Sequence, residues 1–371
     1  MSAFTFDADL LDNQEHLVSG DPSGMLRAVA SSAAQVRVSY RASVDAGLSR
    51  LAGEGRPRAV VVAGMGGSGI AGDVMAAVCG PGAALPIVTV RSHRLPGWVG
   101  AADLVIAVSC SGRTEETLSA ATEAVRRGSR LLAVGGAKSP LAEVARQARG
   151  LFVPVATTGQ PRANLWALSV PLVVAAAALG LAEAEEKNFE DTARSLEDIA
   201  HRCRPGSESF INPGKTLAAE LAGSVPTIWG SSPLAAVAAY RLACQLNENA
   251  KYPAIWGEIP EAGHNQVMAL EGPLAGRDIF ADEETAALRV LVFRDTDEHP
   301  RVAKQREAAL RLAHDRGVRT SEMVAQGVHP LERLASLIEV SDYASVYLAL
   351  GYGIDPTPVA SISEIKARIS H

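Results

Sequence analysis

Residues 58–73 read RAVVVAGMGGSGIAGD, and this stretch decides the fold class. Its first half is a short β-branched run without polar alternation, as expected of a strand buried on both faces. The glycines end that strand, and the residues beyond Gly69 carry helical spacing, so the segment reads strand, Gly-rich loop, helix. Main-chain N–H groups in such a loop, backed by the positive end of the helix, attract an anion. Gly64, Gly66 and Gly69 also satisfy G-x-G-x-x-G, so a dinucleotide fold is a competing reading, with Arg91 and Arg94 after the next strand as 2′-phosphate partners. The loop alone does not choose between a phosphate monoester and a dinucleotide.

The same grammar recurs outward from it. Apolar runs at 85–90 (LPIVTV), 104–108 (LVIAV), 130–134 (RLLAV) and 151–155 (LFVPV) read as buried parallel strands. The helix expected at 115–127 has acidic residues in its first turn and basic ones in its last, matching the helix dipole. Ahead of the first strand, Met25, Leu26, Val29, Ala30, Ala33, Val36 and Val38 predict one amphipathic helix. The stretch 165–182 (LWALSVPLVVAAAALGLA) approaches membrane-spanning length, but its alanines and Pro171 fit a helix buried in a protein core.

After a charged linker and surface helix at 183–197, the pattern restarts. The run 225–229 (VPTIW) leads through GSSP to a helix at 234–246, and 289–293 (RVLVF) leads through RDTD to a helix at 302–314. The halves read as diverged copies of one α/β unit, each a parallel sheet flanked by helices in a doubly wound αβα sandwich. The expected domains are 1–185, with the N-terminal helix and the phosphate-binding unit, and 186–371, with a C-terminal catalytic tail.

Composition narrows the function. With 371 residues, 47% hydrophobic and 20% charged, the chain is globular, which excludes disorder and coiled coil. A net charge of −6 provides no field for nucleic acid. Cys79, Cys110, Cys203 and Cys244 show no C-x-x-C spacing, and the N-terminal residues lack the basic and apolar runs of a signal peptide, so a cytoplasmic protein with free thiols is expected. His16, His93, His201, His299, His314, His329 and His371 show no metal-ligand spacing, and no metal or cofactor is expected.

Two further stretches carry candidate chemistry. Residues 109–117 (SCSGRTEET) place three hydroxyls around a glycine at a helix start, a compact cradle for one phosphate monoester. The bland alternative is that these hydroxyls cap the helix, with Glu115 or Glu116 completing a capping box. In the second copy, the equivalent loop 294–298 (RDTDE) has three carboxylates that repel a phosphate, so one phosphate per chain is expected, in the first half. The second stretch runs from NENAK (247–251) to GEIPEAGHN (257–265), with Glu248 and Lys251 readable simply as a surface ion pair.

Taken together, GMGGSGIAGD (64–73), SCSGRTEET (109–117), NENAK (247–251), GHN (263–265) and DPTPVASISEIKARI (355–369) resemble the SIS, or sugar isomerase, family. Within it the likeness is to the bifunctional phosphoglucose/phosphomannose isomerases, which have two tandem SIS domains. The resemblance implies a homodimer interconverting fructose 6-phosphate with glucose 6-phosphate and mannose 6-phosphate. By position, Gly66, Gly67, Ser68, Ser109, Ser111 and Thr114 match the family's phosphate-binding segment, and Glu248 matches its base. His264 resembles the ring-opening histidine supplied by the other subunit, Lys366 its partner in ring opening, and Arg162 the arginine that steadies the enediolate.

These residue types suit the chemistry. A carboxylate in a partly dry pocket can shuttle a proton between adjacent carbons, a fixed guanidinium stabilises developing oxyanions, and a histidine moves the ring-opening proton. The chain departs from the family at Cys110, where an aromatic is usual, at Arg113, where Asn is usual, and at Gln266, where Glu is usual. Loss of that carboxylate is expected to weaken the orientation of His264. The competing classes are a phosphosugar-binding SIS regulator without turnover, which would need no base, and an NADP-dependent oxidoreductase, which rests on the glycine fingerprint alone.

Overall fold

In the computed structural model, which describes residues 5–156, 159–275 and 287–369, the chain opens with α1 (Gln14–Gly20), α2 (Met25–Val29) and α3 (Ser32–Asp45). The single helix expected across Met25 to Val38 is therefore broken. The Asp21 carboxylate accepts from the N–H groups of Met25 and Leu26 at 2.7 and 2.8 Å, which starts α2 as a helix of its own. Val38, at 50% exposure, lies off the buried stripe of α3. The two helices also belong to different compact units, one made, among the described residues, of 30–156, 159–197 and 327–335 and the other of 5–29, 198–275, 287–326 and 336–369.

In the unit that begins at residue 30, β1 (Val60–Ala63), β2 (Ile87–Val90), β3 (Leu104–Ser109), β4 (Arg130–Gly135) and β5 (Leu151–Pro154) form a parallel sheet in the order 2-1-3-4-5. Its helices are α3, α4 (Gly67–Cys79), α5 (Glu115–Arg126), α6 (Pro140–Gln147) and α7 (Leu165–Ala178), with α8 (Glu186–Arg202) following. The two-residue period of β3 explains the layering. Leu104, Ile106 and Val108 enter one core with Met75 of α4 and Leu168 and Leu172 of α7, while Val105 and Ala107 enter a second with Ala120 and Ala124 of α5 and Leu141 of α6. The apolar stretch expected to be a core helix is α7, buried over nearly its whole length. No helix among the described residues is long and apolar enough to cross a membrane.

In the other unit, β6 (Ser224–Gly230), β7 (Ile255–Glu258), β8 (Ala287–Arg294) and β9 (Arg319–Val324) are parallel in the order 7-6-8-9, which repeats the 2-1-3-4 order of the first sheet. Its helices include α9 (Pro213–Leu221), α10 (Pro233–Gln245), α11 (Pro300–Asp315), α12 (Pro330–Gly351) and α13 (Ala360–Ile369). β7 and β9 are the strands that periodicity does not reveal, because both lie at sheet edges and neither is buried along its length. The units also differ from a cut at residue 185. Residues 5–29 belong with the second sheet: the N–H of Asp7 donates to the Gly351 carbonyl at 2.9 Å, the ring of Phe6 meets Tyr352 edge-on, and buried Lys215 reaches Asp12 at 3.0 Å.

Candidate active site

In the first sheet β1 has β2 on one side and β3 on the other, so the direction of winding reverses between β1 and β3. At such a point the crossover connections leave to opposite faces, and a crevice opens at the carboxyl ends of the two strands. The loops that leave these strands are the Gly-rich loop and the hydroxyl loop. Gly66 holds φ +53° at the start of α4, a backbone conformation that favours glycine, and the N–H groups of Ser68 and Gly69 close the turn on the carbonyls of Met65 and Gly66 at 3.0 and 2.9 Å. The buried Ser68 hydroxyl accepts from the N–H of Cys110 at 3.4 Å, which ties the two loops together.

The hydroxyl loop is built as a tight turn. The N–H of Gly112 donates to the Ser109 carbonyl at 2.9 Å, and Gly112 holds φ +63°. Ser109, fully buried, donates through its hydroxyl to Thr114 Oγ1 at 2.9 Å and accepts from the Thr114 N–H at 3.4 Å. Ser111 is exposed and accepts from the Arg113 N–H at 3.2 Å. The expected cap is not made: Thr114 occupies the N-cap position of α5, yet its side chain makes no capping bond because Ser109 holds it. No side chain caps α4 either. The N-termini of two helices from opposite faces of the sheet thus lie at the switch point without side-chain caps, tied together through Ser68, an arrangement suited to a bound oxyanion.

Arg162 lies in the same unit, on the 3-10 turn Pro161–Ala163, and is 4% exposed. Its turn is held by Gln35 of α3, whose amide donates to the Ala163 carbonyl at 2.7 Å and accepts from the Ala167 N–H at 3.3 Å. Sequence reading did not single out Gln35; a lone amide on the buried stripe of α3 is the signal that marks it. Arg91, the 2′-phosphate candidate, is paired with Asp73 of α4. Burial pushes the Cys110 thiol up to about 11, so beside the hydroxyl loop it is neutral and adds no charge that would oppose an anion.

Glu248, His264 and Lys366 lie in the other unit. There the loops after β6 and β8 close on each other: the Ser232 hydroxyl donates to Asp295 at 2.9 Å and accepts from the Ala235 N–H, and the Asp295 N–H donates to Ser231 at 2.9 Å. The protein's own carboxylate takes the hydroxyl that the first unit keeps for its hydroxyl loop.

Glu248 is half-buried on the π-helical turn Leu246–Ala250 that follows α10. Beneath it Arg241 and Asp342 form a buried two-bond pair at 3.1 and 2.8 Å. Burial opposes the Arg241 charge, but Asp342 first and Glu248 next outweigh it and hold the guanidinium above its ordinary range. Lys251, which the sequence also allowed as a surface ion-pair partner of Glu248, takes a left-handed conformation at φ +56° and donates to four main-chain carbonyls. Two belong to Asp355 and Pro356, so Lys251 joins the Glu248 turn to the root of α13, which carries Lys366.

His264 ends an exposed 3-10 turn, Glu261–His264. Gln266 accepts from Trp229 Nε1 at 2.7 Å and donates to the Trp256 carbonyl at 2.9 Å, two bonds of opposite sense that an amide makes and a carboxylate does not. Among the described residues no group of His, Cys, Asp and Glu is arranged to hold a metal ion. The structure therefore brings Ser68, Ser109, Ser111 and Thr114 together with the glycines in one unit that also holds Arg162, and joins Glu248 to the Lys366 helix in the other.

Comparison with known proteins agrees with this architecture. The family described as bacterial phospho-glucose isomerase C-terminal SIS domain matches residues 210–369. The chain is 33% identical over 314 residues to the bifunctional phosphoglucose/phosphomannose isomerase of Caldicellulosiruptor bescii, covering 84% of this chain and 89% of that one. It is 32% identical over 315 residues to the protein of the same name from Aquifex aeolicus, covering 84% and 90%. A hypothetical protein of Thermus thermophilus shares the fold at TM-score 0.70 and 14% identity, over 98% of this chain and 94% of that one. The chain belongs to the bifunctional phosphoglucose/phosphomannose isomerase family.

Proposed function

We propose that the protein is a metal-independent, cofactor-free aldose-ketose isomerase acting on fructose 6-phosphate, glucose 6-phosphate and mannose 6-phosphate. The observation that carries this reading is the pair of uncapped helix N-termini at the switch point, linked through Ser68, Ser109 and Thr114, in a chain of this family. Gly66, Gly67, Ser68, Ser109, Ser111 and Thr114 hold the phosphate, which fixes the sugar relative to the reacting carbons. His264 and Lys366 move the proton between ring oxygen and anomeric hydroxyl that opens the ring. Glu248 removes the proton from the carbon next to the carbonyl and returns it to the neighbouring carbon, while a hydroxyl proton passes to the former carbonyl oxygen. Arg162 stabilises the cis-enediolate between these transfers, its burial giving the guanidinium a fixed place.

In this reading the active form is a homodimer in which His264 serves the partner's site, so specific activity falls on dilution below the dimer's dissociation constant. The deciding experiment is incubation with fructose 6-phosphate in excess EDTA, followed by separation of the products. Glucose 6-phosphate together with mannose 6-phosphate is expected, and Glu248→Gln is expected to remove turnover while sugar phosphates still bind. Binding of fructose 6-phosphate without either product would favour a regulator over an enzyme.

A further inference from the structure

We propose a second anion site at the opposite end of the first sheet from the hydroxyl loop, built from Arg50, Arg130 and Arg149 and suited to the diphosphate group of a small metabolite. A cavity of about 230 Å³ opens there, at the amino ends of β3, β4 and β5, and these three arginines line it together with the single carboxylate of Glu54. Arg50 comes from the 3-10 turn Leu48–Gly53, Arg130 is the first residue of β4, and Arg149 follows α6. The lining charge is thus positive in a chain whose net charge is −6.

Two of the three guanidiniums are uncommitted. Arg130 donates to the carbonyls of Glu54 and Gly55 at 3.1 and 3.0 Å and lies 3.7 Å from the Glu54 carboxylate, so it is the anchored member. No carboxylate among the described residues forms an ion pair with Arg50 or Arg149. The backbone supports the same reading. Arg149 holds φ +53°, the left-handed conformation that glycine normally supplies at a helix end. The neighbouring Gly150 is required by close approach, since a Cβ there would lie 2.4 Å from the Leu131 carbonyl. The chain therefore places an arginine where the backbone favours glycine, and the conformation turns that arginine to the cavity wall.

The helix dipole favours a cation after α6 but does not account for arginines converging from three separate elements. Guanidiniums bind phosphate oxygens in two-bond pairs, and several together match a multiply charged oxyanion better than a monoanion. The cavity is smaller than sites that enclose a drug-sized molecule, so it takes the diphosphate and leaves the remainder of a larger ligand outside.

The test is calorimetric titration of inorganic pyrophosphate into the full-length protein and into R50A/R149A, with ADP as a second probe. The wild type is expected to bind one more equivalent per chain than the double variant, or to bind it about tenfold or more tightly. Isomerase turnover in the double variant is expected to match the wild type, because neither arginine belongs to the phosphate-binding or catalytic set. Displacement of pyrophosphate by ADP would identify a nucleotide as the source of the diphosphate, and failure to displace it would identify the free anion. R149G gives an independent readout: its melting temperature without anion is expected to rise, as strain is relieved, while the increment produced by pyrophosphate is lost. Identical stoichiometry and affinity in wild type and R50A/R149A, or an unchanged pyrophosphate increment in R149G, would overturn the site.

Discussion

A Cβ built on Gly112 would lie 2.1 Å from Ser139 Oγ, and that glycine also holds φ +63°. Ser139 has little freedom to retreat, because its hydroxyl donates to the Gly136 carbonyl at 2.6 Å and caps α6 through the Ala142 N–H. The turn that sets Ser109 against Thr114 therefore depends on the absence of one methyl group. Gly112→Ala is expected to destabilise the protein by about 1–3 kcal/mol and to weaken sugar-phosphate binding together with stability. Chemical denaturation and calorimetry measure the two effects, and a variant with wild-type stability and affinity would show that the loop absorbs the side chain. At the same scale, Gln266 shows how a residue identity can be explained without reference to catalysis. Its amide satisfies Trp229 and the Trp256 carbonyl at once, so the position reports packing at the end of β7.

Between α10 and α12, the Arg241–Asp342 pair is the polar contact on which the Glu248 turn rests. Their side chains are 1% and 6% exposed, and a buried pair is costly to form but much costlier to break on one side. Asp342→Ala is expected to destabilise its unit by about 3–5 kcal/mol, whereas the double change R241M/D342L, which removes both charges, is expected to restore most of that loss. Urea unfolding of the three proteins tests this, and equal losses in the single and double variants would contradict it. Asn249 extends the same support, donating to Ser345, whose hydroxyl in turn donates to the Asp342 carbonyl. Helix α10 showed this role only faintly in sequence, as one arginine within an Ala- and Leu-rich run.

At the scale of the molecule, acid stability follows from carboxylates held by arginine. Asp103, buried before β3, accepts from Arg58 at 3.0 and 2.7 Å and from the Gly100 N–H at 2.8 Å, and the Arg58 bond, with help from that N–H, holds its carboxyl below the usual range. A carboxyl lowered on folding stabilises the native state fully above its unfolded value, about 4, and loses that contribution as pH falls through the folded value. Asp103→Asn is therefore expected to be less stable than wild type at neutral pH, with the gap narrowing as pH drops below about 4. Thermal unfolding across pH measures it, and a gap independent of pH would assign the loss to packing instead.

The same scale separates what was legible from what was not. The sequence by itself determined the α/β class, the strands β1 to β6 and β8 to within a few residues at each end, the Gly-rich loop and the hydroxyl loop, because each is written in neighbouring residues through apolar runs, glycine and helix spacing. It did not reveal the edge strands β7 and β9, which are largely exposed or half-buried and carry no long apolar run, nor the break between α2 and α3. Only the tertiary structure decided the strand order that makes a switch point of β1 and β3, the capture of Thr114 by Ser109 that leaves α5 uncapped, and the grouping of residues 5–29 with the second sheet. It alone paired Gln35 with Ala163, 128 residues away, and Arg241 with Asp342, 101 residues away. Such choices depend on which distant surfaces bury each other, and the free energy of that burial is a property of the assembled core rather than of any local stretch of chain.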